Sequence, residues 1–398
     1  MTLEQLAEQE SQYVAHTYGR FPVAFESGKG CILTDTTGRR YIDLGAGIAV
    51  SALGYGDTKW ARAVAKQAAK LAHTSNYYYT EPMISLAQKL CEATGYRKVF
   101  FANSGAEANE GAIKAARKYS FDKYHRRDRG GIITLKNSFH GRTVATLTAT
   151  GQEVFHQSFF PFAEGFAYAP AGDIEALRAL VDESTCAVMM EPVQGEGGVY
   201  PLDHDYVRAV FELAAERDLL VIFDEVQTGV GRTGTFLASE QYGVKPDITT
   251  LAKALGGGLP IGAVLFSEKT EAVLGKGDHG STFGGNPVAC AGANVVLDRV
   301  AKKSFLNRVK KKGERMMAAI RAFESPHVKD VRGMGLMIGV ELDGMDAKDT
   351  ALKLLGKGLL ALTAGGNTLR LLPPLVIDDK TIDESLGILK EVLSLWGD

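Results

Sequence analysis

Short runs of apolar, often β-branched residues recur along this chain, and stretches of helical periodicity separate them. Residues 97–103, 131–135, 186–190, 219–224, 247–251 and 262–266 have the length and residue types of strands buried on both faces. Residues 59–72, 82–93, 104–119 and 206–217 instead carry apolar side chains at helical spacing. Strands alternating with helices predict an α/β fold whose main sheet is mostly parallel, and ligands of such sheets bind at the carboxyl ends of the strands.

The flanks differ. Residues 1–20 begin as a short amphipathic helix, and residues 31–44 read as two strands about a Thr-Gly turn, so residues 1–50 are expected to be an N-terminal segment packing with a smaller domain. Residues 51–287 form the large domain. A long helix over 288–302 then leads into further alternating elements, including a strand at 335–341, which makes 288–398 a smaller C-terminal α/β domain.

Composition narrows the function classes. The chain has 398 residues, 45% of them hydrophobic, enough for a substantial core and for two domains. A net charge of -2 with no long basic run argues against nucleic acid as the main partner. Cys31, Cys91, Cys186 and Cys290 are far apart and form no CxxC pair, so they read as reduced thiols. No apolar leader opens the chain and no segment approaches the roughly 20 apolar residues of a membrane span, so a cytoplasmic protein acting on small molecules is expected. The eight histidines show no HExxH pairing, and no metal site is expected.

Candidate chemistry sits at the ends of the apolar runs. One run ends in Asp224-Glu225-Val226-Gln227 and the next leads to Lys253, so a carboxylate and an amine meet at one crevice. That pair suits pyridoxal phosphate: the lysine forms a Schiff base and the acid keeps the pyridine nitrogen protonated. The plainer reading is a structural ion pair. Ser104-Gly105-Ala106 opens a helix whose free amides form a phosphate cup, with ordinary capping by Ser104 as the alternative. Phe139 and Arg142 follow a strand end, where a ring and a guanidinium can stack on a flat group and grip a carboxylate. The loop 278–287 is polar and glycine-rich, suited to anions or simply to solvent. Gly229-Val230-Gly231-Arg232-Thr233-Gly234 matches GxGxxG, but it does not directly join a strand to a long helix, and no acidic strand end follows at the required distance. A dinucleotide fold is therefore not expected.

Taken in order, Ser104-Gly105-Ala106-Glu107-Ala108-Asn109, Phe139-His140-Gly141-Arg142, Glu191-Pro192-Val193-Gln194-Gly195-Glu196, Asp224-Glu225-Val226-Gln227, Lys253 and Ser281-Thr282-Phe283-Gly284-Gly285-Asn286 closely resemble the class III aminotransferases, a subgroup of the fold-type I pyridoxal phosphate enzymes. The resemblance covers nearly the whole chain and implies a seven-stranded type of large-domain sheet. It implies that Lys253 carries pyridoxal 5'-phosphate, Asp224 pairs with the pyridine nitrogen, Gln227 bonds the ring hydroxyl and Phe139 stacks on the ring. Ser104, Gly105 and Ala106 would hold the phosphate, and Val226 would also belong to the cofactor site. Thr282 from the neighbouring subunit of a homodimer would complete the shared site, with Ser281 near the substrate. Many relatives carry threonine where this chain has Ala106, so a hydroxyl contact is lost there while the amide remains.

His73-Thr74-Ser75-Asn76, Gly47-Ile48-Ala49-Val50 and Ala364-Gly365-Gly366-Asn367 resemble the branch of the family that moves the δ-amino group of N-acetylornithine to 2-oxoglutarate. By that resemblance Arg142 holds the distal carboxylate of both substrates. Glu196 masks Arg370 for the first substrate and frees it for the second. Tyr18 matches a tyrosine of ornithine aminotransferases, whereas Ile48 departs from their pattern. Succinylornithine, succinyl-diaminopimelate, ornithine and an aminomutase reaction stay open as alternatives.

Overall fold

The computed structural model describes residues 1–394. Strands Thr185–Met190, Leu220–Asp224, Ile248–Leu251 and Gly262–Phe266 are buried along their whole length, as a sheet covered on both faces requires. With Lys98–Ala102, Gly131–Leu135 and Phe166–Ala169 they form a seven-stranded sheet. Its spatial order is Lys98–Ala102, Gly262–Phe266, Ile248–Leu251, Leu220–Asp224, Thr185–Met190, Gly131–Leu135, Phe166–Ala169. Gly262–Phe266 runs antiparallel to both its neighbours, and the other pairings are parallel. The mostly parallel α/β sheet expected from the apolar pattern is therefore present.

The strand register decides what meets at the sheet's edge. Asp224 lies opposite Thr250, and Phe223 lies opposite Met190, which places Glu191 beside Asp224. Helix Gly105–Tyr124 crosses this sheet on a face of small residues, Ala108, Ala112, Ala115 and Ala116, which lets its axis approach closely. It runs five residues beyond the predicted end at Tyr119, because no breaker intervenes before His125 takes a left-handed cap at φ 53°. The strand Phe166–Ala169 lies outside the predicted runs: it is a four-residue edge strand, only partly buried at its first three positions.

Two further four-stranded sheets lie outside the main one. Val328–Met334, Met337–Leu342, Thr368–Leu371 and Leu362–Ala364 form an antiparallel sheet. Phe25–Lys29, Ile32–Asp35 and Arg40–Asp43 form a meander that Leu359–Leu360 joins in parallel, so the chain's beginning and end share a sheet.

The GxGxxG stretch packs against this C-terminal half. A Cβ on Gly231 would lie 2.5 Å from a Val300 methyl, and Arg232 donates from Nη1 to the carbonyls of Leu336 (2.9 Å) and Pro373 (2.6 Å). The helix that follows, Ser239–Tyr242, is one turn long. Glycine is required here for close packing between parts of the chain, as a side chain at Gly231 would force them apart.

Cys31, Cys186 and Cys290 are buried free thiols and Cys91 is partly buried. Among the described residues no helix is long and apolar enough to cross a membrane.

Candidate active site

Strand ends, a helix start and two loops converge on a cavity of about 480 Å³. Asp224 closes the strand Leu220–Asp224 and is buried. Its Oδ2 accepts from Asn109 Nδ2 at 2.7 Å and pairs with His140 Nδ1 at 2.8 Å, while its Oδ1 accepts from the Val226 amide at 3.0 Å. Asn109 is fixed in turn, because its Oδ1 accepts from Thr250 Oγ1 at 2.7 Å. A buried carboxylate costs several kcal/mol unless it is paired or hydrogen-bonded, and these three donors supply that support. The support holds the carboxylate at the cavity wall.

Glu191 stands beside it and is also buried. Its oxygens accept from the amides of Phe139 (2.9 Å) and Gly195 (3.2 Å), so one carboxylate ties together the loops that carry Phe139 and Glu196. Burial pushes the Glu191 carboxyl up; His140 opposes this and the charge of Asp224 adds to it.

Lys253 follows the strand Ile248–Leu251 and begins a single 3-10 turn at φ 42°, a left-handed backbone that costs a non-glycine residue about 1–2 kcal/mol. The strained turn aims the side chain into the cavity that it lines. Although the residue faces the cavity, protein encloses its amine. Burial pushes the amine down to about 8, with Arg370 adding to the shift and Glu196, Asp224 and Glu191 opposing it.

The helix start supplies an anion cradle. Ser104 caps helix Gly105–Tyr124 by accepting from the Glu107 amide at 3.1 Å, which leaves the first two amides, Gly105 and Ala106, without intrahelical partners. Glu107 reaches back to the Asn103 amide at 2.6 Å and fixes the entry of the chain. A Cβ on Gly105 would lie 2.6 Å from Val226 Cγ1, so only glycine allows this approach. Capping and the cradle coexist, because the cap uses the third amide and leaves the first two free.

Glu196 and Arg370 form a second constellation. Arg370 Nη1 donates to Glu196 Oε1 at 2.6 Å and to Gln227 Oε1 at 3.2 Å, while Gln227 Nε2 donates to the same Glu196 oxygen at 3.4 Å. Burial pushes the Glu196 carboxyl up, but the charge and hydrogen bond of Arg370 outweigh it and hold the group below its usual range. Arg370 itself is buried, and its Nε has no partner among the described residues.

The cavity wall brings together Ser104, Gly105, Ala106, Phe139, Arg142, Asp224, Val226, Gln227 and Lys253. Glu196 and Arg370 join it through Gln227. Ser281 reaches the rim, where its Oγ accepts from Asn103 Nδ2 at 3.1 Å. Thr282 lies elsewhere, in a cleft with His73, Thr74, Ser75 and Asn76. Tyr18 is 72% exposed, with Arg20 against its ring, and does not line the cavity.

Asn109 and His140 had no role in the sequence reading beyond membership of a motif. Asn109 lies four residues after Gly105 on one helix face, a spacing that points it at the same site.

A planar, anionic, carbonyl-bearing ligand suits these groups: amides for an anion, an aromatic face, a carboxylate fixed beside the ring seat, and an amine that burial makes easier to deprotonate. The family model described as aminotransferase class-III matches residues 13–393. The chain is 50% identical over 396 residues to the acetylornithine aminotransferase of Haemophilus ducreyi, covering 99% of this chain and 100% of that one. A solved structure of the acetylornithine aminotransferase of Elizabethkingia anophelis superposes with a TM-score of 0.88 at 33% identity and covers 99% of each chain. The ornithine aminotransferase of Toxoplasma gondii, described with partial occupancy of PLP at its active site, superposes with a TM-score of 0.95 at 34% identity, covering 98% of this chain and 94% of that one.

Proposed function

The chain belongs to the class III aminotransferases, and from that premise we propose that it moves the δ-amino group of N2-acetylornithine to 2-oxoglutarate, with pyridoxal 5'-phosphate as cofactor. The products are N-acetylglutamate 5-semialdehyde and glutamate, a step of arginine biosynthesis, and we assign the enzyme to the cytoplasm. The observation that carries the reading is the meeting of Asp224, Lys253 and the Gly105–Ala106 amides on one cavity wall. The acetylated substrate follows from the relatives' activity. A panel of N-acetylornithine, N-succinylornithine, N-succinyl-diaminopimelate and ornithine with 2-oxoglutarate as acceptor tests it. N-acetylornithine is expected to give the highest kcat/KM, and a tenfold preference for any other donor overturns the assignment. We divide the chain into residues 1–50, 51–287 and 288–398.

The residues fit the cofactor. The Gly105 and Ala106 amides and Ser104 would hold the phosphate, Phe139 and Val226 would flank the ring, Gln227 would meet its hydroxyl, Asp224 its nitrogen, and Lys253 its aldehyde. Bound there, pyridoxal phosphate supplies a carbonyl for reversible attachment of amines and a cationic ring that draws off electrons. Lys253, once free, takes a proton from the reacting carbon and returns it one position away. Arg142 binds the carboxylate far from that carbon. Arg370 binds the carboxylate next to it when there is one, which holds for 2-oxoglutarate but not for the δ-amine. Glu196 covers Arg370 in the other case.

That division of labour gives a testable asymmetry. Glu196→Ala leaves Arg370 uncovered beside a δ-carbon that bears no carboxylate, at a cost of ~1–2 kcal/mol with partial water access, so the N-acetylornithine half-reaction is expected to slow about five- to thirtyfold. The 2-oxoglutarate half-reaction is expected to keep its rate or gain. Single-turnover traces of each half-reaction decide the matter, and a parallel loss in both would assign Glu196 a purely structural part.

The site is proposed to be shared within a homodimer. Thr282 sits apart from its own chain's cavity, and the neighbouring Tyr77 and Tyr79 are each 95% exposed, an apolar display that suits an interface. Ser281 and Tyr18 are assigned to the substrate side of that assembled site. If Thr282 completes the partner's phosphate seat, mixing Lys253→Ala chains with Thr282→Asp chains yields hybrids with one intact site. At random pairing, about a quarter of the wild-type activity returns. Demonstrated subunit exchange without any return of activity would refute sharing through Thr282.

A further inference from the structure

Arg142 is exposed and lines the cavity, and among the described residues it makes no ion pair with a carboxylate and donates no hydrogen bond to the protein. A free arginine side chain samples many rotamers, and holding it in one costs on the order of 1–2 kcal/mol. Its guanidinium lies over the ring of Phe155, 4.9 Å from the centroid. The same ring meets Phe139 edge to face, at 5.8 Å between centroids and 68° between planes.

The support under Phe155 is firm. It ends a single 3-10 turn, Glu153–Phe155, whose preceding residue Gln152 donates from Nε2 to the Ser138 carbonyl at 3.1 Å. The Gly151 amide donates to Ser138 Oγ at 3.1 Å, and a Cβ on Gly151 would come within 2.0 Å of the Leu135 carbonyl oxygen. The turn is thus bound to the segment that runs directly into Phe139.

We propose that Phe155 is a positioning residue of this site, one that holds the Arg142 guanidinium by its flat face and leaves its N–H edge free for a substrate carboxylate. The chemistry favours an aromatic ring in this role. A carboxylate partner would place Arg142 equally well but would occupy the donors that the substrate needs. A ring attracts the cation through its face and takes none of the five in-plane N–H groups. Through its edge contact with Phe139, the same ring sets the distance between the carboxylate grip and the aromatic wall of the cavity. The inference rests on the assignment of Arg142 to the distal carboxylate made above.

Phe155→Leu keeps apolar bulk and removes the π face; Phe155→Tyr restores the face. In the holoenzyme, Phe155→Leu is expected to raise KM for N-acetylornithine and 2-oxoglutarate about three- to thirtyfold with little change in kcat. Kd for glutarate, measured by calorimetry, is expected to rise by a similar factor, and Phe155→Tyr to return both to near the parent values. The single-turnover rate with n-pentylamine, which has no carboxylate, is expected to stay the same. Combining Phe155→Leu with Arg142→Ala should add nothing to the Arg142→Ala defect, as required of two residues acting through one contact. An equal loss with n-pentylamine would make Phe155 a mere prop for the aromatic wall and overturn the proposal, as would an unchanged KM. If Arg142→Ala itself leaves KM and glutarate binding intact, the assignment of Arg142 fails first. If that variant is impaired and Phe155→Leu is not, only the role of Phe155 fails.

Discussion

Lys253→Ala is expected to lower transamination by about four orders of magnitude, the upper range for loss of a positioned acid–base group, while leaving the chain folded. Among the described residues, Lys253 is the one amine on the cavity wall. Its left-handed backbone at φ 42° is strain that folding alone does not need, so alanine, with the same backbone cost and no buried amine to desolvate, should not reduce stability. Borohydride treatment followed by peptide mapping is expected to place the cofactor on Lys253 in the parent and nowhere in the variant. A labelled peptide elsewhere, or activity within tenfold of the parent, defeats the assignment.

The same amine predicts a pH profile. Burial pushes it down to about 8, and a base acts only when it is unprotonated. Below about pH 8 the unprotonated fraction falls tenfold per unit, so the proton-transfer rate should rise with unit slope up to that point and level off above it. In Lys253→Ala, added methylamine is expected to restore part of the rate and to shift the inflection toward its own, higher pKa. An inflection fixed near 8 without Lys253 would assign the titration to another group.

The strand ends carried most of what could be read from the sequence. Asp224 and Lys253 each follow a short β-branched run, and burial on both faces forces such a run into a central strand whose carboxyl end opens on the crevice. The glycine at 105 was legible as the opening of a helix whose free amides suit an anion, whereas its close approach to Val226, 121 positions on, was not. Contacts between distant parts of the chain were a different matter. Glu196 and Arg370 are 174 positions apart, and no periodicity links them; only the resemblance to a family did.

The left-handed turn Ala46–Ala49 follows no regular period either, although its support is close in sequence. Asp43 accepts from the amides of Gly45 (2.7 Å) and Ala46 (3.0 Å) and from Tyr55 Oη (2.7 Å). Phe155 lies in a stretch with no regular period, and its place beneath Arg142 is set by tertiary packing. Elements fixed by local pattern were therefore visible, and side chains fixed by contacts between remote segments were not.

Asp224→Asn is expected to reduce kcat about 10²- to 10³-fold with little loss of cofactor, because it removes charge at the ring nitrogen while the amide cradle at Gly105 and Ala106 is untouched. The comparison with Asp224→Ala separates charge from shape. In the parent, Oδ2 serves Asn109 and His140 and Oδ1 serves the Val226 amide. Asparagine can keep its oxygen toward Asn109 and His140 and then presents its NH2 to the Val226 amide, losing one hydrogen bond. Alanine strands all three donors. Two of them belong to buried side chains, at about 1–3 kcal/mol for each donor left without a partner, so the alanine variant should also melt several degrees lower. Glu191 reports on the charge as well, since Asp224 helps to push its carboxyl up. Neutralising Asp224 should let Glu191 ionise at lower pH, visible as a lower midpoint in the pH titration of its carboxyl resonance in labelled protein. A slow, stable Asp224→Asn enzyme with a shifted Glu191 fits electrostatic control of the ring. Near-parent kcat in that variant means that another group protonates the cofactor, and equal melting points for Asn and Ala mean that the hydrogen bonds of Asp224 contribute little to packing.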